Sequence, residues 1–319
     1  MKHTIEVQAL SGAVPEGLET MTFPVYRPLL GLAPAVRHPE QGDVRRIQPV
    51  AMVASVAGRP LGLALGELPL EGEEPAELLS LFVRPELRGQ GIGTALVGGL
   101  EEELDRRGAK RVSAVWTRGK PSIAALEQVL WKRGWSAPVP RTVSVRFPPA
   151  AALGSELFSE RRMKALGARL EIFPWSAIGA AERAAIRATH EAEPWITPAL
   201  APWRFEGAAF DPVSSVGARY RGEVVGWVLN HAVAPGTVRF TCSFMRKDIS
   251  RRGRIIPLFR ASLERLVEAG VARATFVTPV VYPNMIRFIQ RWIAPISEFV
   301  GETRGSTKRL GERSSSTET

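Results

Sequence analysis

The pattern of apolar and polar positions predicts an α+β architecture for the first half of the chain. Three runs rich in β-forming residues come first, at 48–57, 60–68 and 77–83. A helix follows, in which apolar residues recur every fourth position while charged residues hold the other face. A strand at 111–117 and a helix at about 121–132 come next. This order predicts a mixed, mostly antiparallel sheet with flanking helices and one β–α–β crossover.

The second half of the chain repeats the first. At an offset of 162 residues, the Phe-Val-Arg of 82–84 falls on the Phe-Met-Arg of 244–246, and Gly91 falls on Gly253. Upstream the offset becomes 164, which one insertion or deletion in a loop explains. Because this period is far longer than that of a solenoid repeat, it predicts a duplicated domain.

The repeat and the local composition together predict the domain boundaries. A first domain covers 1–148 and a linker covers 149–167, and the Pro-Pro-Ala-Ala-Ala run of 148–152 marks the boundary between them. The second domain covers 168–302. Residues 303–319 are polar and rich in Ser and Thr, so a disordered tail is expected there.

Composition excludes several classes of protein. The chain has 319 residues, 45% hydrophobic and 23% charged, as in an ordinary globular protein. A single cysteine, Cys242, excludes a disulfide framework, and the four histidines show no metal-ligand spacing, so no metal is expected. No apolar segment resembles a signal peptide or a membrane span. A cytoplasmic protein without membrane contact is therefore expected.

The net charge of +10 has two interpretations. Its arginines are dispersed along both halves, which is typical of a solvated surface. The alternative is that they line a groove for an anionic ligand, and composition alone does not separate the two interpretations.

One segment, Arg-Gly-Gln-Gly-Ile-Gly at 88–93, carries recognisable chemistry. Alternate glycines between a strand and a helix let backbone N–H groups converge on one point, toward which the helix dipole also points, and this suits a pyrophosphate. A Walker A loop would need Gly-Lys-Ser/Thr, but Thr94 follows here. A Rossmann fingerprint would need a wider glycine spacing and a downstream acid. A tight turn without any ligand is the remaining alternative.

Residues 80–135 resemble the GNAT superfamily of N-acetyltransferases. The family signature, Arg/Gln-x-x-Gly-x-Gly/Ala, is matched by Arg88, Gly91 and Gly93, and Gly134-Trp135 matches the family's helix ending. The resemblance implies two tandem GNAT-like domains, the first of which uses acetyl-CoA to acetylate a primary amine of a small molecule or peptide. It also implies a set of residues that bind acetyl-CoA. They are Leu81, Phe82, Val83, Arg88, Gly89, Gln90, Gly91, Ile92, Gly93, Thr94 and Ser122.

The resemblance also implies candidates for proton transfer. Family members often keep a glutamate near the start of the strand before the loop, and Glu77 is the nearest here. A solvated residue beside an acidic loop is the alternative interpretation of Glu77. The family's tyrosine position is Leu130, so Tyr26 in the N-terminal segment is the substitute candidate for the general acid.

The second copy departs further from the family. Ser250 replaces the arginine and Ile255 replaces the last glycine of the loop; because isoleucine resists positive φ, the cofactor loop is expected to have decayed. The arginines of 251–254 could still bind an anion. Asn284 keeps the helix-opening asparagine that Ser122 replaces in the first copy.

Other functions stay open at this stage. A non-catalytic acyl-CoA sensor would also fit the missing tyrosine, and nucleic-acid binding ranks last because no recognised motif is present. For His190, a structural role at the surface or in the core is favoured over a catalytic role. The sequence does not choose among amino acids, polyamines, aminoglycosides and peptides as acceptor, nor between monomer and homodimer.

Overall fold

The computed structural model describes most of the chain, as two compact units. The described residues are 5–37, 45–167, 169–207, 209–250 and 253–311. Unit 1 comprises Met1–Arg141 and Thr303–Thr319, and unit 2 comprises Thr142–Glu302.

Unit 1 is a mixed sheet with two helices. Its strands are β1 (Glu6–Ala9), β2 (Ala35–Arg37), β3 (Arg45–Val56), β4 (Arg59–Pro69), β5 (Ala76–Val83) and β6 (Arg111–Thr117). Its helices are α1 (Ile92–Arg106) and α2 (Ile123–Lys132). The strand order is β1-β3-β4-β5-β6 with β2 beside β3; among these described strands, β5 and β6 are parallel and the other pairs are antiparallel. Residues 303–309 add a strand antiparallel to β6.

The two faces of this sheet bury different sets of residues. The face under α1 packs against the apolar residues that recur every fourth position of that helix, Ile92, Leu96, Leu100 and Leu104. All four are buried, and each side chain contributes about 1.5–3 kcal/mol. Short 3-10 segments at Leu18–Met21 and Pro24–Gly31 cover the opposite face. The helix that follows the glycine loop thus packs on one face of the sheet, and the N-terminal segment packs on the other.

Unit 2 repeats this plan with additions. Its strands are β7 (Val139–Phe147, in unit 2 from Thr142), β8 (Leu170–Pro174), β9 (Phe210–Tyr220), β10 (Glu223–Ala234), β11 (Thr237–Met245), β12 (Arg273–Pro279) and β13 (Phe299–Arg309, in unit 2 as far as Glu302). Its helices are α3 (Pro149–Leu153), α4 (Glu160–Gly167), α5 (Ala180–Ala192), α6 (Ile256–Glu268) and α7 (Pro283–Phe288). The sheet runs β7-β12-β11-β10-β9-β8, and β11–β12 is its parallel pair. The predicted α+β class is therefore confirmed.

Two segments differ from the predicted boundaries. The expected linker at 149–167 forms α3, α4 and a 3-10 turn, because Ala152, Leu157 and Phe158 are buried in the core of unit 2. The prediction of a disordered tail is wrong for residues 303–309, which pair with β6 through backbone hydrogen bonds that need no apolar side chains. Residues 312–319 of the expected tail lie outside the described residues.

Candidate active site

A gap opens between the two parallel strands of unit 1. The strands β5 and β6 pair only as far as Leu78 and Ala114, although β5 continues to Val83 and β6 to Thr117. At this point Leu79 is the extra residue of a β-bulge between β5 and β4. Because a bulge bends its strand and increases its twist, it explains why β5 leaves β6 here.

The backbone of β5 presents polar groups to this gap. Arg84 N donates to Leu61 O on β4 at 3.0 Å, and alternate residues of a strand direct their N–H groups to opposite edges. Leu81 and Val83 therefore direct their N–H and C=O groups away from β4, toward the gap. Val83 O accepts a hydrogen bond from Arg88 Nε at 3.1 Å, which fixes the start of the loop to the strand end.

The glycines of the loop are required for two different reasons. Gly89 and Gly91 both have φ of +82°, a conformation that other residues rarely adopt. Gly93 lies within α1, where its φ is ordinary, and a Cβ there would lie 3.5 Å from Val129 and 3.8 Å from Val83. Gly91 is the N-cap of α1, so the unpaired N–H groups of the first turn emerge directly beside the gap.

The other residues predicted to bind acetyl-CoA differ in their exposure to solvent. Thr94 is half-buried in α1, whereas Gln90 is exposed in the loop, as is the side chain of Arg88. Ser122 is the exposed N-cap of α2 and makes no capping hydrogen bond. The Phe82 ring packs on the opposite face of the sheet, and its backbone N–H and C=O groups face β4, so Phe82 presents no polar group to the gap.

Glu77 lies in a cluster of ion pairs. Its cross-strand partner is Glu67, which is 0% exposed, and two arginines bridge the two carboxylates. Arg45 lies 2.6 Å from Glu67 and 3.0 Å from Glu77, and Arg37 lies 2.5 Å and 3.8 Å from the same pair. Burial raises the pKa of Glu77, and the charge of Arg37 opposes that rise. With its side chain 22% exposed, Glu77 is not a freely solvated residue.

Tyr26 and Glu77 meet at one arginine. Tyr26 is half-buried in the 3-10 segment Pro24–Gly31, and the Arg37 guanidinium lies 5.6 Å from the centre of its ring. Arg37 thus contacts both candidates for proton transfer. Leu130, at the position of the family's tyrosine, is 2% exposed and has no proton to donate.

The cluster around Glu67 was missed by the sequence reasoning. Its members lie on β2, β3, β4 and β5, so no local motif unites them. The signal that could have revealed it is Glu67 itself, a charged residue inside an otherwise apolar strand, since a carboxylate is rarely buried without a partner.

Unit 2 keeps the gap but not the loop chemistry. The strands β11 and β12 pair as far as Phe240 and Phe276, and Thr241 is the extra residue of a bulge against β10. Gly253 keeps a φ of +78°, but Ile255, with φ −76°, packs on the core. The expectation that isoleucine fails here because of positive φ is wrong, since Gly93 does not have positive φ either. At position 93 the glycine is needed for the space that it leaves between Val83 and Val129.

The charged pair of unit 1 is also replaced in unit 2. His231 and Arg239 are cross-strand partners at the positions of Glu67 and Glu77. His231 Nδ1 lies 3.0 Å from Thr241 Oγ1, and burial lowers the pKa of the imidazole. Unit 2 therefore lacks the carboxylate pair of unit 1.

Three further predictions concern unit 2. His190 Nδ1 accepts hydrogen bonds from Trp195 N at 3.2 Å and Ile196 N at 3.3 Å, a structural role at the end of α5. Asn284 accepts a hydrogen bond from Arg287 at 2.5 Å. Arg251 and Arg252 lie outside the described residues.

Within the described ranges, no helix is long and apolar enough to cross a bilayer. The same residues include no group of three or more His, Cys, Asp or Glu side chains that could hold a metal ion.

Comparison with known proteins finds a family match within unit 1. Residues 23–130 match the acetyltransferase (GNAT) family. Over 90 residues the chain is 37% identical to a mycothiol acetyltransferase of Frankia casuarinae, covering 28% of this chain and 26% of that protein. Over 79 residues it is 35% identical to an uncharacterized N-acetyltransferase of Methanocaldococcus jannaschii, covering 24% of this chain and 34% of that protein. The chain thus spans about a quarter to a third of the length of these relatives.

Solved structures extend the likeness to both units. A tandem GNAT protein from the clavulanic acid biosynthesis pathway superposes with a TM-score of 0.59 at 17% identity, covering 97% of this chain and 100% of that one. A glucosamine N-acetyltransferase region of a fungal β-N-acetylglucosaminidase gives 0.60 at 13% identity, covering 97% of this chain and 38% of that one. At these identities the likeness concerns the fold. The family match thus lies within unit 1, and the likeness to solved structures shows that the chain has the fold of two tandem GNAT-like domains. In the second domain Ser250 and Ile255 replace the arginine and the last glycine of the loop.

Proposed function

We propose that unit 1 is an acetyl-CoA-dependent N-acyltransferase that acetylates a primary amine of a small molecule or peptide. The observation that carries this proposal is the gap between β5 and β6, which opens at the Leu79 bulge and ends at the glycine loop and the start of α1. A thioester with a long polar arm and a pyrophosphate fits this arrangement from end to end.

The chain's own groups suit the parts of acetyl-CoA. The N–H groups at the start of α1 and those of the Gly89–Gly91 turn would bind the pyrophosphate, with Arg88 adding charge. The open edge at Leu81 and Val83 would pair with the amides of the pantetheine arm as a strand pairs with its neighbour. Gly93 leaves room for that arm between β5 and α2.

The reaction then needs a proton acceptor and a leaving thiolate. The amine nitrogen attacks the thioester carbonyl, a C–N bond forms, the C–S bond breaks, and its electron pair leaves on the sulfur. An N–H group of the bulged part of β5 would stabilise the oxyanion. Glu77, whose pKa is raised by burial, would take the ammonium proton directly or through water. The Tyr26 hydroxyl or solvent would supply a proton to the thiolate.

The experiment is a pair of measurements on the full chain. Isothermal titration with acetyl-CoA should give one site per chain, and Gly91→Glu should remove it, because a glutamate cannot easily hold a φ of +82° and would repel a phosphate. Release of free CoA thiol with a panel of amino acids, polyamines, aminoglycosides and peptides then tests turnover. Failure of the wild-type chain to bind acetyl-CoA would contradict the proposal.

One observation favours a second candidate, a non-catalytic acyl-CoA sensor. The residue at the family's tyrosine position, Leu130, is buried and cannot act as an acid. Tight binding of acetyl-CoA without thiol release across the whole amine panel would support the sensor. Thiol release with any amine would exclude it.

A further inference from the structure

An arginine cluster surrounds one tyrosine of unit 2. The Arg221 and Arg254 guanidinium carbons lie 5.3 Å and 5.9 Å from the centre of the Tyr220 ring. Arg169 makes a side-chain hydrogen bond with Tyr220, and this bond together with the charge of Arg221 lowers the pKa of the phenol. Arg169 and Arg221 are exposed, and Arg254 is half-buried. Two guanidinium groups thus lie over the Tyr220 ring and a third contacts its hydroxyl.

The carboxylates near this cluster are committed to other arginines. The pairs are Arg219 with Glu171 (2.8 Å) and Glu182 (2.7 Å), and Arg246 with Glu223 (3.1 Å) and Asp248 (2.9 Å). Glu223 is even the cross-strand partner of Tyr220. Over the described ranges, Arg169, Arg221 and Arg254 have no ion pair with any carboxylate. Within the part of the chain that the structure describes, these three arginines therefore carry positive charge with no paired carboxylate, whereas Arg219 and Arg246 beside them are paired.

The duplication shows that the fold does not require these charges. The turn between β3 and β4 holds Ala57 with a φ of 47°, and the equivalent turn between β9 and β10 holds Arg221 with a φ of 55°. The position of Arg254 is occupied in unit 1 by Ile92, which is buried at the start of α1. Unit 2 thus carries two arginines at positions where the same fold is stable without them.

We propose that Arg169, Arg221, Arg254 and the Tyr220 hydroxyl form a binding site for a phosphate group, of the class of dianionic phosphate monoesters. Guanidinium groups match phosphate oxygens in geometry and stay charged, and a dianion uses more of three such groups than a carboxylate can. The Arg221 and Arg254 guanidinium groups lie over the Tyr220 ring, where a nucleotide base would otherwise stack. The ligand is therefore recognised by its phosphate group. This site is independent of the acetyl-CoA site proposed for unit 1.

The test is titration of the full chain with inorganic phosphate and with glycerol 3-phosphate, with acetate at matched ionic strength as the reference anion. Because the unit 1 loop could also take phosphate, all titrations are repeated with Arg88→Ala present. Arg221→Ala and Arg254→Ala should each weaken phosphate binding about tenfold, the usual effect of losing one charge-assisted contact. Arg221→Ala reproduces the Ala57 turn of unit 1 and should therefore fold.

Arg59→Ala is the matched control, because it removes an exposed arginine beside the equivalent hairpin of unit 1. Phosphate binding that is insensitive to Arg59→Ala and weakened by Arg221→Ala supports the site. Equal affinity for both probes would indicate recognition of the phosphate alone, and tighter binding of the ester would indicate a phosphorylated metabolite. The proposal is overturned if neither probe binds, if acetate binds as well as phosphate, or if Arg59→Ala weakens phosphate binding as much as Arg221→Ala does.

Discussion

Leu79 of unit 1 and Thr241 of unit 2 occupy the same place in the fold, since each is the extra residue of a β-bulge at the end of the parallel strand pair. Near each bulge lies one cross-strand pair of titratable residues, Glu67 with Glu77 in unit 1 and His231 with Arg239 in unit 2. The duplication has therefore preserved the backbone that opens the gap, while two carboxylates beside it in unit 1 correspond to an imidazole and a guanidinium in unit 2. The chemistry of each unit is determined by a few side chains placed on this shared backbone.

The loop position that most clearly separates the two units is Gly93. Replacing it with isoleucine, the residue at the equivalent position 255, should reduce acetyl-CoA binding at least tenfold. A Cβ fits there at 3.5 Å from Val129, so the helix should form, but the branched side chain would fill the gap. Isothermal titration and circular dichroism measure the two effects. Ile255→Gly, the reciprocal control, should leave binding unchanged; unimpaired binding by Gly93→Ile would mean that the arm lies elsewhere.

A second prediction concerns the pH dependence of turnover through Glu77. Because burial raises the pKa of Glu77 in the folded protein, its base form is lost as pH falls through a value above the ~4.3 of a free glutamate. The rate should therefore fall on the acid side of that value. Glu77→Gln should lower kcat about a hundredfold or more and abolish the fall in rate at acid pH. Glu77→Asp should restore part of the rate. The measurement is a pH profile of CoA release.

Glu74→Gln is the control for that experiment. Glu74 is exposed and pairs with the same Arg45 at 2.5 Å, so its loss disturbs the ion cluster without removing Glu77. We expect kcat to change less than about threefold, as for loss of a surface ion pair. An acid limb that survives in Glu77→Gln would assign the base to another residue.

A third prediction concerns the single cysteine. Cys242 is 1% exposed, and burial raises the pKa of its thiol to about 12. At pH 8 only about one thiol in ten thousand would be ionised, and the thiolate is the reactive form. Native protein should therefore react negligibly with Ellman's reagent, whereas the denatured chain should release one equivalent. Rapid labelling of the folded chain would show that β11 opens readily.

The sequence predicted the parts of this structure that depend on local patterns. The strand before the loop, the amphipathic helix α1 and the repeat were all evident from periodicity and spacing, and the strand predicted at 111–117 matches β6. The ion cluster could not be predicted, because Arg37, Glu67 and Glu77 are brought together only by the pairing of four strands.

The missed boundaries have a different cause. The segment 303–309 has few apolar residues, and its order depends on the free edge of β6, which no property of the segment itself reveals. The segment 149–167 begins with a Pro-Ala run typical of linkers, yet Leu157 and Phe158 supply apolar surface that only the core of unit 2 can explain. In both cases the partner, and not the segment, determines the structure.

The last prediction tests the C-terminal strand as part of unit 1. Lys308 Nζ lies 2.6 Å from Glu101, a carboxylate that is 4% exposed and also binds Arg133 at 2.7 Å and Trp135 at 2.7 Å. Lys308→Met should therefore cost about 1–3 kcal/mol of unfolding free energy, because Glu101 keeps its other two partners. Denaturant unfolding followed by circular dichroism measures this difference.

Truncation at two points separates the strand from the residues beyond it. A chain ending at Glu302 should lose far more stability than Lys308→Met, because it uncovers the edge of β6 and leaves Glu101 without Lys308. A chain ending at Gly311 keeps every pairing of β6 and the hydrogen bond from Leu310 N to Lys110 O, and should unfold like the full chain. If both truncated chains were as stable as the full chain, residues 303–309 would be dispensable for unit 1, and the loss of stability in Lys308→Met would need another source. If both lost the same amount of stability relative to the full chain, the stabilising contacts would lie beyond Gly311.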